Sequence, residues 1–328
     1  MLPPRTARVT SVALVVAAAT LLVACSKAPA PANPNAGAKV GVLLVAHGSK
    51  SATWTGMVET LAKGLEASSA KLGVAGTKLA YITESKPSIA DEMRAFDQEG
   101  YDEVVVTPLL IGNESERINT YVHYLAGIRS EARVIKQLKN EGYDIYYPRA
   151  RVSLTPALSE SDALKKNILR RVLALKGEGS GEDLGVVLVG YGDKVFGQQM
   201  EGYMTAIGRY LKIKSDIDTV AFAFCGNLVD YSGEPVVKVI NEVLELEDEV
   251  LVVPVLLGVD EMLQTNTIQA AINAIPTSSK VRYQPDAVLP DPEVTEWLGE
   301  KIAEAVQRSR GAGADAVDAP NRSCKPDC

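Results

Sequence analysis

The 328-residue sequence has only two histidines, His47 and His123, and fewer cationic than acidic side chains: 34 Lys and Arg against 41 Asp and Glu. The resulting formal net charge of −7 argues against a nucleic-acid partner, because phosphate binding depends largely on cationic side chains. The P-loop pattern G-x-x-x-x-G-K-[ST] does not occur, so no nucleotide is predicted to bind.

Two further catalytic or cofactor motifs are incomplete. The stretch "GYGDKVFG" from Gly190 lacks the third glycine of a dinucleotide-binding loop. The stretch "HGSKS" from His47 is not the G-x-S-x-G turn of a serine hydrolase. Neither class of enzyme is therefore favoured.

Cysteine is also scarce, with four residues in the chain. Cys225 lies in the apolar stretch "VAFAFCG" and is predicted to be a small core residue. Cys324 and Cys328 are spaced for a short disulfide in an oxidising compartment or, alternatively, for a metal. The fourth, Cys25, ends an apolar run near the N-terminus.

That N-terminal run predicts an export signal. Arg5 and Arg8 precede apolar residues 12–24, a run too short to span a membrane. Residues 22–25, Leu-Val-Ala-Cys, resemble the lipobox of bacterial lipoproteins. The resemblance implies lipidation of Cys25 and an extracytoplasmic, membrane-anchored protein in the periplasm, and Ser26 favours the outer membrane. The alternative is an ordinary cleaved signal in which the cysteine has no role.

The folded part of the chain is a duplication. "GVLLVAHGS" from Gly41 matches "GVVLVGYGD" from Gly185, and "EVVVTPLLIGNES" from Glu103 matches "EVLVVPVLLGVDE" from Glu249. A third pair, "YYPRA" and "YQPDA", follows in the same order. We therefore predict a signal peptide (1–24), a lipidated tether (25–38), two domains (39–178 and 184–309) and a flexible tail (310–328).

Each half predicts a doubly wound α/β domain with a parallel sheet. Short continuous apolar runs are typical of strands covered by helices on both faces. In the first half these runs are 42–46, 78–82, 103–110 and 144–147, with helices predicted at 53–72, 88–99 and 115–140. In the second half the strands are predicted at 185–190, 219–224, 249–257 and 280–283.

Ligands of such sheets bind at the carboxyl ends of the strands. His47 lies one residue beyond the first predicted strand, and the loop from Gly112 follows the third. The sequence therefore predicts a ligand pocket beside His47.

The first half also resembles a known family. "LLVAHGSKSATWTGMVETLAKGLEA", "AYITESKPSIADEM" and "YDEVVVTPLLIGN" are similar to the class II chelatases, closest to the sirohydrochlorin cobaltochelatases of cobalamin biosynthesis. The resemblance implies two flavodoxin-like, chelatase-type domains and insertion of a divalent metal into a tetrapyrrole without ATP. Cobalt is the expected metal substrate, with nickel or iron as alternatives.

The resemblance assigns His47 as metal ligand and base, and it makes Glu84 a catalytic candidate. Family members usually have a second histidine in the loop after the third strand, but here that loop reads Gly-Asn-Glu-Ser-Glu from Gly112. Glu114 or Glu116 is then a candidate metal ligand, and His123 is the alternative. Glu116 and His123 lie two helical turns apart, about 10 Å, so only one of them is expected to bind the metal.

Candidate substrate-binding residues carry polar or positive groups beside this pocket. Sirohydrochlorin carries many carboxylates, so an acidic protein needs cations near the pocket to bind it. The candidate cations are Lys50, Arg117 and Lys86, and Ser49 is a further candidate for substrate binding. Tyr191 replaces the histidine in the second half, which is expected to form the opposite wall of a cleft. Because duplication supplies both walls, a monomer is expected.

Two other functions stay open. The chain is either a chelatase fold that only binds a metal or a tetrapyrrole outside the cytoplasm, or a scaffold lipoprotein without a ligand. The missing second histidine and the predicted compartment favour the binding protein as the alternative to a chelatase, whereas the histidine at the pocket edge argues against the scaffold.

Overall fold

The computed structural model describes residues 37–112 and 115–311, which form two four-stranded parallel sheets. The strand orders are β2-β1-β3-β4 and β6-β5-β7-β8, the same order in each half. This confirms the predicted α/β class with doubly wound parallel sheets. The strands are β1 (Val40–Ala46), β2 (Gly76–Tyr81), β3 (Glu103–Leu109), β4 (Arg151–Leu154), β5 (Leu184–Gly190), β6 (Thr219–Phe224), β7 (Glu249–Val255) and β8 (Val281–Tyr283).

Helices cover both faces of the sheets. Two of them, α3 and α8, continue a preceding π-helical segment, Arg117–Val122 and Met262–Gln269 respectively. Among the described residues, no helix is long and apolar enough to cross a membrane. The helices are α1 (Ala52–Lys71), α2 (Ile89–Gln98), α3 (His123–Leu125), α4 (Ala132–Asn140), α5 (Asp162–Lys176), α6 (Gly197–Lys214), α7 (Glu234–Leu244), α8 (Ala270–Ala274) and α9 (Pro292–Gly311).

A single apolar core joins the two halves. In β1, Val42 and Leu44 point into this shared core, whereas Leu43 and Val45 point into a second core of the first half. Strand β5 alternates in the same way: Val186 and Leu188 point into the shared core, and Val187 and Val189 point into a third core in the second half. Burial on both faces explains why the strands are continuous apolar runs.

The halves exchange helices across this core. Helix α5 follows the first sheet in sequence but packs against β7 and α6 of the second half. Helix α9 follows the second sheet but packs against β3 and α1 of the first half. A division of the chain at residues 178 and 184 stays a prediction, and the packing crosses it in both directions.

The fourth strand of the first half lies further along the chain than predicted. Residues 144–147 form no strand, because Asp97 binds the segment that contains them. Its carboxylate accepts hydrogen bonds from the Tyr146 hydroxyl (2.7 Å) and from the backbone N–H groups of Arg149 (2.7 Å) and Ala150 (3.2 Å). The strand begins only at Arg151.

The third pair of the predicted repeat was consequently misaligned. Leu154 pairs with Val106 in the first sheet, and Tyr283 pairs with Val252 in the second. The residues equivalent to "YQP" are therefore "LTP" from Leu154 rather than "YYP". The first two pairs of the repeat are confirmed by matching registers on β1 and β5.

The predicted helix over residues 115–140 is two helices. The first ends at Leu125, and Gly127 has a φ of 74°, a left-handed conformation that ends helices. A Cβ atom on Gly127 would lie 2.5 Å from Pro148 Cδ, so the turn is also a close packing contact. Helix α4 begins at Ala132.

Of the cysteines, the structure describes only Cys225, which is fully buried and unpaired, as predicted for a core residue. Cys25, Cys324 and Cys328 lie outside the described residues, as do the predicted signal peptide and nearly all of the predicted tether and tail.

We predict that Asp97→Ala lowers the free energy of unfolding by about 2 to 4 kcal/mol, because it leaves one buried and two partly buried donors without their acceptor. Burial alone would raise the pKa of Asp97, but these hydrogen bonds hold it below the ordinary value. The contribution is therefore complete above about pH 4 and is lost as the pH falls through the lowered pKa. Urea unfolding at pH 7 and pH 3 measures both effects.

Asp144→Ala is the matched control for this prediction. Asp144 is exposed and bonds to Arg94 at the surface, so its loss is expected to change stability by less than about 1 kcal/mol. Equal losses for the two variants would contradict the assigned role of Asp97.

Candidate functional site

A cavity of about 420 Å³ lies at the carboxyl ends of both sheets. Its walls come from the loops after β1, β2 and β3 of the first half and after β5, β6 and β7 of the second. The lining is mostly apolar, with charged side chains among it. The predicted position of a ligand pocket thus agrees with the fold, and we refer to this cavity as the cleft.

His47 lines the cleft directly beyond β1. The chain turns there through Gly48, which has a φ of 96°. A Cβ atom on Gly48 would lie 1.7 Å from the Thr83 carbonyl oxygen, so only glycine fits. The loop after β2 is thereby held against His47, and the second half repeats the turn at Gly192, with a φ of 87°.

The hydrogen bonding of His47 indicates one tautomer. Nδ1 lies 2.8 Å from the Gly48 carbonyl oxygen, which can only accept, so Nδ1 carries the proton in the neutral ring. Nε2 then has a free lone pair, and it is buried without a hydrogen-bond partner among the described residues. This is the atom available to bind a metal or accept a proton. Because it is shielded from solvent, neighbouring side chains must shift for an ion to reach it.

The surroundings keep this ring neutral. Burial is the largest cause that lowers the pKa of His47 below its ordinary value, and the positive charge of Arg117 lowers it further. The Gly48 hydrogen bond and the carboxylates of Glu84 and Asp260 oppose this shift without reversing it. At neutral pH the imidazole is therefore uncharged, with an open lone pair that can bind a metal or accept a proton.

Two candidate carboxylates are also in the cleft. Glu84 has a φ of 61°, unusual for a residue with a side chain, and its Oε2 lies 3.4 Å from Lys50 Nζ. Glu116 lies at the start of the π-helical segment, where burial and the nearby charge of Asp193 raise its pKa. A carboxyl group with a raised pKa takes up a proton more readily near neutral pH.

Several hydrogen bonds join the halves beside the cleft, and two of them involve acidic residues that line it. Ser49 Oγ donates to Asp260 Oδ2 (2.6 Å), and the Glu116 backbone N–H donates to Asp193 Oδ2 (2.8 Å). Ser49 and Asp193 occupy equivalent positions in the duplication, but their partners do not, because Asp260 corresponds to position 114 rather than to Glu116. Ser49 therefore both lines the cleft and connects the first half to the second through Asp260.

Not every predicted site residue is in the cleft. Ser49, Lys50, Glu84, Glu116 and Arg117 line it together with His47. His123 does not line it: the ring is partly buried on α3, where burial and Arg129 lower its pKa. Glu114 lies outside the described residues. Within residues 37–112 and 115–311, no group of three or more His, Cys, Asp and Glu side chains is arranged to hold a metal.

The second half contributes Tyr191, which the repeat aligns with His47, and three residues that were not among the predicted site residues: Tyr231, Lys194 and Asp260. Tyr191 lies beside His47, with ring centroids 6.3 Å apart, and its hydroxyl is 2.9 Å from the Tyr231 hydroxyl. Lys194 and Asp260 also line the cleft. Lys194 could have been found from the sequence, because "YGDK" from Tyr191 aligns with "HGSK" from His47 and has a lysine at the same position.

The arrangement combines a neutral imidazole, carboxylates, cations and apolar walls. Imidazole with carboxylates suits first-row transition metals, and the apolar walls with cations suit a flat anionic ligand.

The comparison with known proteins agrees with this site. The CbiX family profile matches residues 41–175, which include β1 and His47. The comparison with curated protein sequences gave no match. The CbiX match confirms, for the first half, the resemblance to the class II chelatases.

Solved structures of chelatases have the same fold. SirB from Bacillus subtilis with Fe3+ is 20% identical, with a TM-score of 0.61 over 83% of this chain and 98% of its own. The sirohydrochlorin chelatase SirB from Bacillus subtilis subspecies spizizenii in complex with cobalt is 17% identical, with a TM-score of 0.60 over 83% and 97%. CbiX, the terminal enzyme of siroheme biosynthesis in denitrifying bacteria, is 15% identical, with a TM-score of 0.51 over 81% and 99%. The two-domain chelatase-type fold is therefore confirmed.

We predict that Arg117→Met raises the pKa of His47, because it removes a positive charge beside the ring. The pKa should stay below about 6.5, since burial is the larger cause of the shift. Imidazole NMR titration measures this directly, because the chain has only two histidines and His47→Ala assigns the signals.

Arg129→Met is the matched control, because Arg129 lowers the pKa of His123. It should raise the pKa of His123 and leave that of His47 unchanged. An unchanged or lowered pKa of His47 in Arg117→Met would contradict the proposed charge coupling.

Proposed function

We propose that this protein is a chelatase that inserts a divalent metal into an acidic tetrapyrrole such as sirohydrochlorin, without a nucleotide. The observation that supports the proposal most strongly is the free Nε2 of His47 at the end of β1, beside the cleft. The CbiX match over residues 41–175 and the common fold of SirB and CbiX support the same class of activity.

The chemistry of insertion explains the residues. Two pyrrole N–H protons must leave the macrocycle while the metal loses bound water. In the proposed mechanism the neutral His47 ring holds the metal or accepts one proton, since its lone pair is open. Glu84 and Glu116 supply oxygen ligands and further proton acceptors.

We propose cobalt as the metal substrate, with nickel and iron as the alternatives. Imidazole and carboxylate ligands favour these ions over magnesium. The solved structures of similar fold carry Fe3+ in one case and cobalt in another, so competition between the metals is the decisive assay.

A second candidate is a protein that binds the metal or the tetrapyrrole without catalysis. The observation in its favour is that the described residues contain no metal-binding group of three side chains and that the loop from Gly112 has no histidine. We also propose an extracytoplasmic location with a lipid anchor on Cys25, supported by the lipobox-like residues 22–25.

We predict that His47→Ala lowers the rate of cobalt insertion into sirohydrochlorin by at least about 100-fold, as expected when a catalytic proton acceptor is lost. The visible spectrum of the macrocycle follows the reaction. His123→Ala is the control and should retain activity, because His123 does not line the cleft. Thermal unfolding of His47→Ala should remain close to that of the wild type.

The same assay separates the two candidate functions. A spectral change that develops with time and turns over supports the chelatase, whereas an immediate stoichiometric change supports the binding protein. Wild-type insertion rates in His47→Ala would remove the case for catalysis at this residue.

A further inference from the structure

Lys194 lines the cleft from the second half and is the counterpart of Lys50 in the duplicated sequence. Lys50 Nζ lies 3.4 Å from Glu84 Oε2, and Lys194 Nζ lies 3.2 Å from Asp230 Oδ1. Both acidic residues have a positive φ, 61° and 51°. The lysine–carboxylate pair is thus present in both halves, whereas the histidine is present in one.

Both pairs can be opened at little cost. The side chains of Lys194 and Asp230 are 56% and 90% exposed. An exposed ion pair of this kind contributes little to stability, because water screens it. An incoming carboxylate can therefore replace Asp230 as the partner of Lys194.

The other charged side chains of the cleft differ in the number of hydrogen bonds and ion pairs that they form. Asp193 accepts hydrogen bonds from two backbone N–H groups of its own loop and from that of Glu116. Asp260 accepts from Ser49 and from a backbone N–H. Arg117 lies over the Tyr121 ring, 5.0 Å from its centroid, and forms no salt bridge with any of the described residues. Asp193 and Asp260 are thus held by their own partners, whereas Arg117 has no carboxylate partner among the described residues.

Apolar surface accompanies Lys194 at the mouth of the cleft. Tyr231 is 42% exposed and packs edge-on against Tyr191, with ring centroids 6.2 Å apart. Met262 is 50% exposed on the same lining. A flat ligand with an apolar centre and an acidic periphery fits this combination.

We propose that Lys194 is a specificity residue of the second half, which binds a peripheral carboxylate of the tetrapyrrole. The macrocycle is then held from both sides, by Lys194 on one and by Lys50 and Arg117 on the other. This inference rests on the proposed function, because it assigns the second half a role at the same site.

The test measures binding of metal-free uroporphyrin, which carries carboxylates on its peripheral side chains, by quenching of porphyrin fluorescence at low salt. Lys194→Met should weaken binding about threefold to tenfold, as expected for one charged contact in a partly apolar cleft. Lys194→Arg should restore it. Asp230→Asn should tighten binding, because it removes the competing carboxylate and leaves Lys194 in place.

Lys238→Met is the matched control, because Lys238 is an exposed lysine of the second half on α7, away from the cleft lining. It should bind uroporphyrin like the wild type. A porphyrin with cationic N-methylpyridinium groups should not respond to Lys194→Met in the same direction.

The outcomes distinguish this inference from the proposed function. Wild-type affinity in Lys194→Met, weaker binding in Asp230→Asn, or no uroporphyrin binding by the wild type would each overturn the role of Lys194. A protein that binds uroporphyrin through Lys194 but never metallates sirohydrochlorin would support this inference while contradicting catalysis.

Discussion

The shared apolar core is the constraint on which the site depends. Parallel strands bring all their carboxyl ends to one edge of a sheet, but a single sheet offers only one wall. Here α5 packs on the second sheet and α9 on the first, so the two halves cannot separate without opening the core. Both carboxyl edges therefore line one cleft, and loops far apart in sequence meet across it.

The same burial determines the chemistry of His47. A ring in solution would be partly protonated near neutral pH, but the low-dielectric surroundings and Arg117 disfavour the charged form. The Gly48 carbonyl then fixes which nitrogen carries the remaining proton. Position and tautomer thus follow from one turn after β1, whereas the charge state follows from burial and Arg117. The turn requires a glycine because the Thr83 carbonyl lies against it.

Much of this could be predicted from the sequence, because the relevant signals are local. Buried strands are apolar runs, and a histidine directly after one marks the edge where ligands bind. The missed features depend on distant contacts. Asp97 displaces β4 by binding residues about fifty positions away, and the helix exchange leaves no local pattern. The link between Ser49 and Asp260 likewise requires both halves to be in place.

The duplication indicates which residues of the second half contribute to ligand binding. At equivalent positions Tyr191 replaces His47 and Asp193 replaces Ser49, while the glycine and the lysine are retained. The glycine is required by the turn, since Gly192 is left-handed and packed against Leu228. No backbone requirement explains the lysine, which is exposed and, within the part of the chain that the structure describes, forms a salt bridge only with Asp230. A cation kept on an exposed rim, in an acidic chain and beside an aromatic pair, is accounted for by an anionic ligand that both halves bind.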